Sequence, residues 1–435
     1  MSLRGLTDGL GFLREHERLV MISISTVLVM AGQGAISPIL PLFAKEFGVG
    51  IAAVGLTLST FALARLLLNV PLGVLSDRYG RRMLLVSGPI VTGIGMVGSG
   101  LSQSIELLLV WRFIAGAGSA MYMTGAMIYI ADISTAENRA RFIGTNQGAL
   151  LLGVSIGQAI GGILGEFYGL RVPFYAVGIS AFAAAIYAFL RLPETRPETR
   201  QAQPADASDE TADAGSRPAG TRRSWVRMIR SRDFFAVSFV TMSIFLTRSA
   251  GRQTLVPLLS VARLNMSTGV LGGVFAAMSL SNMFLITPAA FAADRFGRKA
   301  VLIPGGVLLT AGLLLYGGAN SYTMFIVASV VLAIGQGIDG PAPAAYAADI
   351  APEDARGLAM GLYRSSGDFG FVLGPPLLGL LADATSFGWA LAVNAAIVAA
   401  ATLFFAVAAR ETAGWARSPR PPAPVPEAVD AGPEG

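Results

Sequence analysis

Apolar residues along the 435-residue chain fall into long runs separated by short polar breaks. A helix needs about 20 such residues to cross a hydrocarbon layer about 30 Å thick. Twelve runs qualify: Leu19 to Phe43, Ala52 to Leu75, Met83 to Leu101, Ile105 to Ile130, Phe142 to Phe167, Val172 to Leu190, Phe234 to Val261, Gly269 to Phe291, Ala300 to Ala319, Tyr322 to Tyr346, Leu358 to Leu381 and Phe387 to Ala408. They predict an all-α membrane protein with twelve transmembrane helices, numbered 1 to 12 in chain order. The first run is too long for a signal-peptide core and no convincing cleavage site follows it, so it is expected to stay as a mature helix.

Composition fits that reading. The chain is 53% hydrophobic and 14% charged, with a mean hydropathy of +0.61, whereas soluble domains carry about 25% charged residues. Cysteine is absent and His16 is the single histidine. Disulfides, thiolate metal sites, a catalytic cysteine and a Ser-His-Asp triad are thereby excluded, and neither a metal nor a cofactor is expected. Lys45 and Lys299 are the only lysines, and neither ends a phosphate-binding G-x-x-x-x-G-K-[ST] loop, so any energy source lies outside the chain. The spans show no clustered His or metal-type carboxylates, which argues against a membrane enzyme.

Basic residues accumulate on the cytoplasmic side of membrane proteins, so their distribution orients the chain. With the N-terminus inside, the inner segments hold 24 Lys and Arg, and the outer loops hold three, Lys45, Arg171 and Arg263. Both termini are expected in the cytoplasm. The net charge of +5 then follows from topology, and no continuous basic face for nucleic acid results. Between runs six and seven, Arg196 to Thr221 is rich in Pro, Ala, Glu, Asp, Thr and Ser, a composition that cannot bury a core. The expected plan is an N-terminal six-helix half over 1–190, a largely disordered cytoplasmic linker over 191–232, a C-terminal half over 233–408 and a disordered tail over 409–435. Just before helix 7, Trp225, Val226, Met228 and Ile229 alternate with Arg223, Arg227, Arg230 and Arg232. That pattern suits a short helix lying on the inner leaflet.

The second half repeats the first at an offset of 217 residues. Pro71 matches Pro288, Asp77-Arg78 matches Asp294-Arg295, Gly80-Arg81 matches Gly297-Arg298, and Ala131-Asp132-Ile133 matches Ala348-Asp349-Ile350. Arg139 matches Arg356, Gly153 and Gly157 match Gly370 and Gly374, and Glu194-Thr195 matches Glu411-Thr412. Parallel halves of six helices are a known plan for secondary transporters, with the site at the midplane between them.

The residues of this repeat resemble the major facilitator superfamily over nearly the whole chain apart from linker and tail. Gly73-x-x-x-Asp77-Arg78-x-Gly80-Arg81-Arg82 is similar to that family's loop signature between helices 2 and 3. Its echo after helix 8 has Ala290 in place of the leading Gly. Leu109-x-x-Arg112-x-x-x-Gly116-x-Gly118 is similar to a second pattern, common in proton-coupled drug exporters, with Ala115 where Gln is frequent. Gly153-x-x-x-Gly157-Gln158-x-x-Gly161-Gly162 resembles the antiporter pattern, with Gln158 where Pro is usual. The resemblance implies a multi-pass transporter of the plasma membrane, most like the twelve-helix drug:proton antiporters. Its implied partners are a small-molecule substrate, protons and the lipid bilayer, and it implies a monomer.

In the loop signature, a tight turn at Gly80 places a carboxylate among guanidiniums, able to pair with Asp132 and Arg139 when the inner gate is shut. The gating set is then Gly73, Asp77, Arg78, Gly80, Arg81, Arg82, Asp132 and Arg139, echoed by Asp294, Arg295, Gly297, Arg298, Asp349 and Arg356. The competing reading is that these arginines only enforce topology. For Gly153, Gly157, Gly161 and Gly162 it is plain close packing of helices.

Away from the ends of the runs, where only Glu106 and Glu166 fall, seven charged residues sit deep inside them: Arg65, Arg112, Arg248, Arg252, Asp339, Arg364 and Asp368. Each costs on the order of 3 kcal/mol at the membrane centre and asks for a partner or a watery cavity. Arg65 lies twelve residues before Asp77 and Asp368 twelve residues after Arg356, so both are about 18 Å from the cytoplasmic ends at 1.5 Å per residue. The resemblance places helices 2 and 11 face to face, which makes Arg65 and Asp368 a candidate pair for proton coupling. Arg364 is one turn from Asp368 and able to share it, and Asp339 is the alternative carrier. Five arginines against two aspartates suggest a cationic cavity suited to an anionic or carbonyl-rich substrate; alternatively, backbone carbonyls satisfy the arginines. Three functions stay open: a drug or metabolite exporter driven by protons, an organic-anion transporter, and a non-transporting membrane sensor or scaffold on the same fold.

Overall fold

The computed structural model describes residues 17–135, 138–195, 228, 230–352 and 356–412. His16, the 196–221 linker, Arg223, Trp225, Val226, Arg227, Ile229, the tail beyond residue 412 and the side chain of Arg356 lie outside the described residues. Among the described residues all regular structure is helical. The first half comprises α1 (Glu17–Lys45), α2 (Ile51–Tyr79), α3 (Arg81–Leu101), α4 (Ile105–Ile133), α5 (Arg139–Tyr168) and α6 (Val172–Arg191). The second comprises α7 (Arg232–Leu264), α8 (Thr268–Phe296), α9 (Arg298–Gly317), α10 (Tyr322–Ile350), α11 (Arg356–Ala384) and α12 (Phe387–Ala408). Eleven of these are apolar enough by length and composition to cross a membrane. The other, α11, carries Arg364, Asp368, Pro375 and Pro376, which dilute its apolar character, and it packs along α2 and α7.

Three runs that read as continuous are interrupted. In α1 the helix stops at Ile36 and resumes at Leu40, across Pro38, which cannot donate a backbone hydrogen bond. In α10 Gly340 and Pro341 interrupt the helix directly after Asp339. In α7 residues Thr247–Leu255 wind as a π-helix, and the Val256 N–H reaches back five residues to the Gly251 carbonyl. Pro257 follows without an N–H of its own. Such widened turns recur at functional sites, and this one carries Arg248 and Arg252.

The halves share one core at the outer end and keep separate cores at the inner end, the end that the basic-residue count assigns to the cytoplasm. The largest apolar cluster joins Phe43, Val54 and Phe174 of the first half to Leu259, Phe275 and Leu378 of the second. Toward the inner end, one cluster belongs to the second half alone (Val301, Tyr346, Phe405) and another to the first alone (Leu85, Tyr129, Phe142). Hydrogen bonds between the halves lie in the outer part too, among them Ser59 to the Val372 carbonyl at 2.5 Å, Ser155 to the Ala276 carbonyl at 2.8 Å and Thr268 to the Gly162 carbonyl at 3.0 Å. Ser155 is sixteen residues from the start of α5, which leaves about 24 Å of helix inner to that contact. There, a methyl group added at Gly73, Gly144, Gly148 or Gly361 would meet nothing within 4 Å. The protein is open inward and sealed outward.

Candidate substrate cavity and gates

A cavity of about 450 Å³ lies between the halves. Its wall contains six of the seven intramembrane charges, Arg65, Arg112, Arg248, Arg252, Asp339 and Asp368, together with Gln33, Asn69, Gln147, Gln158 and Gln336. Arg364 is not among the lining residues, is exposed, and forms no ion pair with Asp368. Tyr122 of α4 is fully buried against Thr26 and is not part of the wall.

The arginines divide into two kinds. Arg112 is buried over the Phe61 ring at 4.5 Å and its Nε donates to the Thr57 carbonyl at 3.3 Å. Arg252 is buried over Phe275 at 5.1 Å and donates to the Phe275 carbonyl, to Ser279 at 3.1 Å and to Gln336 at 3.3 Å. Both are held by carbonyls, hydroxyls and rings of their surroundings, so their charges are built into the wall. Arg65 and Arg248 face the cavity differently. Arg252 also has an unpartnered Nε but donates three bonds through its terminal nitrogens. Arg65, its Nε buried and unpartnered, and Arg248, exposed on the wall, make no side-chain hydrogen bond or ion pair among the described residues. Arg65 and Asp368 line the same cavity from opposite halves but form no ion pair in this inward-open state. The expected contact is therefore absent in this structure, although Ser59, six residues before Arg65 on α2, still bonds to the Val372 carbonyl of α11. Asp339 is 1% exposed, and neither of its carboxylate oxygens has a hydrogen-bond partner. Its side chain lies directly against Gly305, where any Cβ would collide with it.

The inner loops show why the signature residues recur. Gly80 and Gly297 adopt φ of +94° and +112°, a region that disfavours any side chain, so α2 turns into α3 and α8 into α9 without a spacer. Arg81 pairs with Asp77 at 3.2 Å and Asp132 at 2.8 Å; Arg298 pairs with Asp294 at 2.6 Å and Asp349 at 3.1 Å. These pairs stay within one half and exist while the inner end is open, so closing the gate is not what forms the Asp132 contact. The two copies have the same arrangement despite Ala290. Arg139 donates to Ser134 at 3.4 Å. Arg78 and Arg295 stack near Tyr79 and Phe296, and Arg82 near Phe189.

Of the antiporter-like glycines, Gly153, Gly157 and Gly161 press against the α1 backbone at Val27, Ala31 and Ala35, a close packing within one half. Gly162 instead meets Thr268 and Gly272 of α8 across the interface. Gln158 accepts a hydrogen bond from Ser279 at 2.7 Å, and Arg252 donates to that same hydroxyl. A chain of polar contacts thus runs from the cavity wall through α8 to the other half. Sequence reading passed over Ser279, and also over the roles of Glu194 and Glu411. Each of these glutamates accepts from two backbone N–H groups at the start of α3 or α9; their recurrence at the 217-residue offset was the available signal.

Comparison with known proteins agrees with this architecture. The family model of the Major Facilitator Superfamily matches residues 22–259 and 241–431. An MFS-type transporter of Methanocaldococcus jannaschii is 27% identical over 85% of this chain and 92% of its own. Multidrug resistance protein 1 of Bacillus subtilis is 26% identical over 85% of this chain and 91% of its own, and the quinolone resistance protein NorA of Staphylococcus aureus is 26% identical over 85% and 90%. Among solved structures, an inward-facing bacterial homologue of the human lysosomal transporter Spinster superposes with a TM-score of 0.72 at 18% identity, covering 90% of this chain and 95% of that one. The nucleoside transporter NupG gives 0.72 at 15% identity, over 89% and 98%. With two repeated six-helix halves, a cavity between them and a family model spanning most of its length, this chain belongs to the major facilitator superfamily and is a multi-pass membrane transporter, not an enzyme.

Proposed function

We propose that the protein exports a small organic molecule or drug by alternating access, in exchange for protons, as a monomer. The observation that carries this reading is the cavity lined by both halves and open inward, whose wall holds two carboxylates with no ion-pair partner, Asp339 and Asp368. Relatives named for multidrug and quinolone resistance support the cargo class. Asp368 is assigned the proton because Arg65 sits on the opposite half, so rocking changes the field at its carboxylate. The cavity is built by one chain, and no second copy is needed to complete it.

Coupling sign follows from cargo charge. A cationic cargo and a proton that claim the same carboxylate bind in competition, which gives exchange. An anionic cargo drawn to Arg65 and Arg248 binds better when Asp368 carries a proton, which gives movement in the same direction. The second reading, an organic-anion transporter, rests on Arg65 Nε having no partner. Proteoliposomes carrying a pH gradient separate them, with ethidium as an aromatic cation and fluorescein as an aromatic anion. Uphill ethidium movement against the proton flow supports export by exchange; uphill fluorescein movement with the proton flow supports the anion reading. No gradient-driven movement of either probe, with downhill exchange intact, would overturn proton coupling.

A further inference from the structure

The outer seal contains two carboxylate contacts that are copies of each other. At the outer end of α11, Asp383 reaches across to the first half and accepts from the N–H groups of Ile51 at 2.8 Å and Ala52 at 2.9 Å, the first two residues of α2. At the outer end of α5, Glu166 reaches across to the second half and accepts from the Gly269 N–H at 2.9 Å and the Ser267 hydroxyl at 3.0 Å, at the start of α8. Glu166 and Asp383 are 217 residues apart, the offset of the repeat. One is Glu and the other Asp, so matching of identities along the sequence passes over them.

The chemistry is helix capping supplied from the opposite half. The first N–H groups of a helix have no partner within it, and a carboxylate there satisfies them and meets the positive end of the helix dipole. Gly50, which occupies the cap position of α2, offers no side chain to do this. It also leaves room: a Cβ at Gly50 would lie 2.7 Å from Asp383 Oδ2. Gly269 is similarly crowded by Glu166. Both contacts belong to the sealed outer face and join helices that must separate there when the protein opens outward.

We propose that Glu166 and Asp383 are paired latches of the outer gate, and that together they set the balance between inward-open and outward-open states. Opening outward breaks both at once: α2 loses its side-chain cap, and α8 loses the Glu166 contacts to Gly269 and Ser267 while Ser267 still accepts from the Val270 N–H. Neutral truncation of one latch raises the outward-open population relative to the inward-open by about threefold to tenfold, on the scale of losing one helix cap. Truncation of both multiplies the two effects, since the two contacts share no residue.

The chain lacks cysteine, so two introduced ones report cleanly. Gln103→Cys and Asn320→Cys place spin labels on exposed, repeat-equivalent outer loops of the two halves. Pulsed dipolar distance measurements in nanodiscs compare the labelled protein with the same protein carrying Glu166→Ala, Asp383→Ala, or both. The expected result is a longer-distance population that grows with each substitution and multiplies in the double variant. Glu166→Gln and Asp383→Asn, which keep an acceptor and lose the charge, serve as milder versions if alanine prevents folding, and they are expected to shift the same way by less. An unchanged distribution in a folded double variant overturns the proposal. A shift from one site with the other silent overturns the pairing.

Discussion

Asp77 and Asp132 both pair with Arg81, and their surroundings assign them unequal work. The Arg81 side chain is 10% exposed, Asp132 20% and Asp77 72%. The Asp77 contact is an exposed i,i+4 pair, worth about 0.5 kcal/mol at most. Asp132 also accepts from Thr195 at 3.0 Å. Its removal leaves a nearly buried guanidinium with Asp77 and the Ser76 carbonyl at 3.3 Å as its remaining partners. Breaking a fully buried pair costs about 3–5 kcal/mol; the residual exposure and those remaining partners reduce this to about 1–3 kcal/mol. Asp132→Asn is therefore expected to lower stability by that amount and Asp77→Asn by less than about 0.5 kcal/mol, measured by SDS-driven equilibrium unfolding in mixed micelles. Asp77→Asn is expected to slow transport while cargo binding persists, since Asp77 is exposed at the moving inner end and far from the cavity wall. Equal destabilisation by the two variants would refute this division, and so would a loss of cargo affinity in Asp77→Asn.

Asp294→Asn is expected to slow transport about as much as Asp77→Asn, because its pair with Arg298 reproduces the first copy; flux assays of the two side by side check this. Asp368→Asn is expected to abolish gradient-driven accumulation while cargo exchange at equal pH survives; if Asp339→Asn alone has that effect, the proton belongs to Asp339. Ser279→Ala and Gln158→Ala are each expected to reduce the inward-open population, and a double-mutant cycle on the spin-label distances should show coupling of about 1 kcal/mol. Independence of the two would break the link from Arg252 to the opposite half. A topology reporter inserted between residues 196 and 221 is expected to read cytoplasmic; a periplasmic reading would invert every depth assigned from the basic-residue count.

The fold was legible because membrane spans advertise themselves by length and apolarity, and because the repeat survives as identities at turns that need glycine, such as Gly80 and Gly297. Placing Arg65 and Asp368 on one cavity took both their equal depth, counted from the inner loops, and the family resemblance that sets helices 2 and 11 face to face. The partners of the charges were not legible that way. Arg112 and Arg252 are satisfied by carbonyls and rings on other helices, contacts that no local pattern encodes. Equal depth and facing helices put Arg65 and Asp368 on one cavity wall, but neither fixes side-chain direction, and the two form no ion pair. The interruption after Asp339 has a readable cause in Gly340-Pro341, whereas the π-turn at Thr247–Leu255 has only Gly251 and Pro257 to announce it. Glu166 and Asp383 were hidden because the repeat conserves their charge and position without conserving identity.

Proton movement tied to cargo movement tests the central claim most directly. Purified protein in liposomes loaded with a pH-sensitive dye reports internal pH while ethidium is followed in the same vesicles. The expected result is that ethidium sets protons moving in the opposite direction, that a pH gradient drives ethidium uphill, and that both effects vanish in the variant carrying Asp339→Asn and Asp368→Asn. Uphill ethidium transport with no accompanying proton movement, or full coupling retained in that variant, would contradict the account.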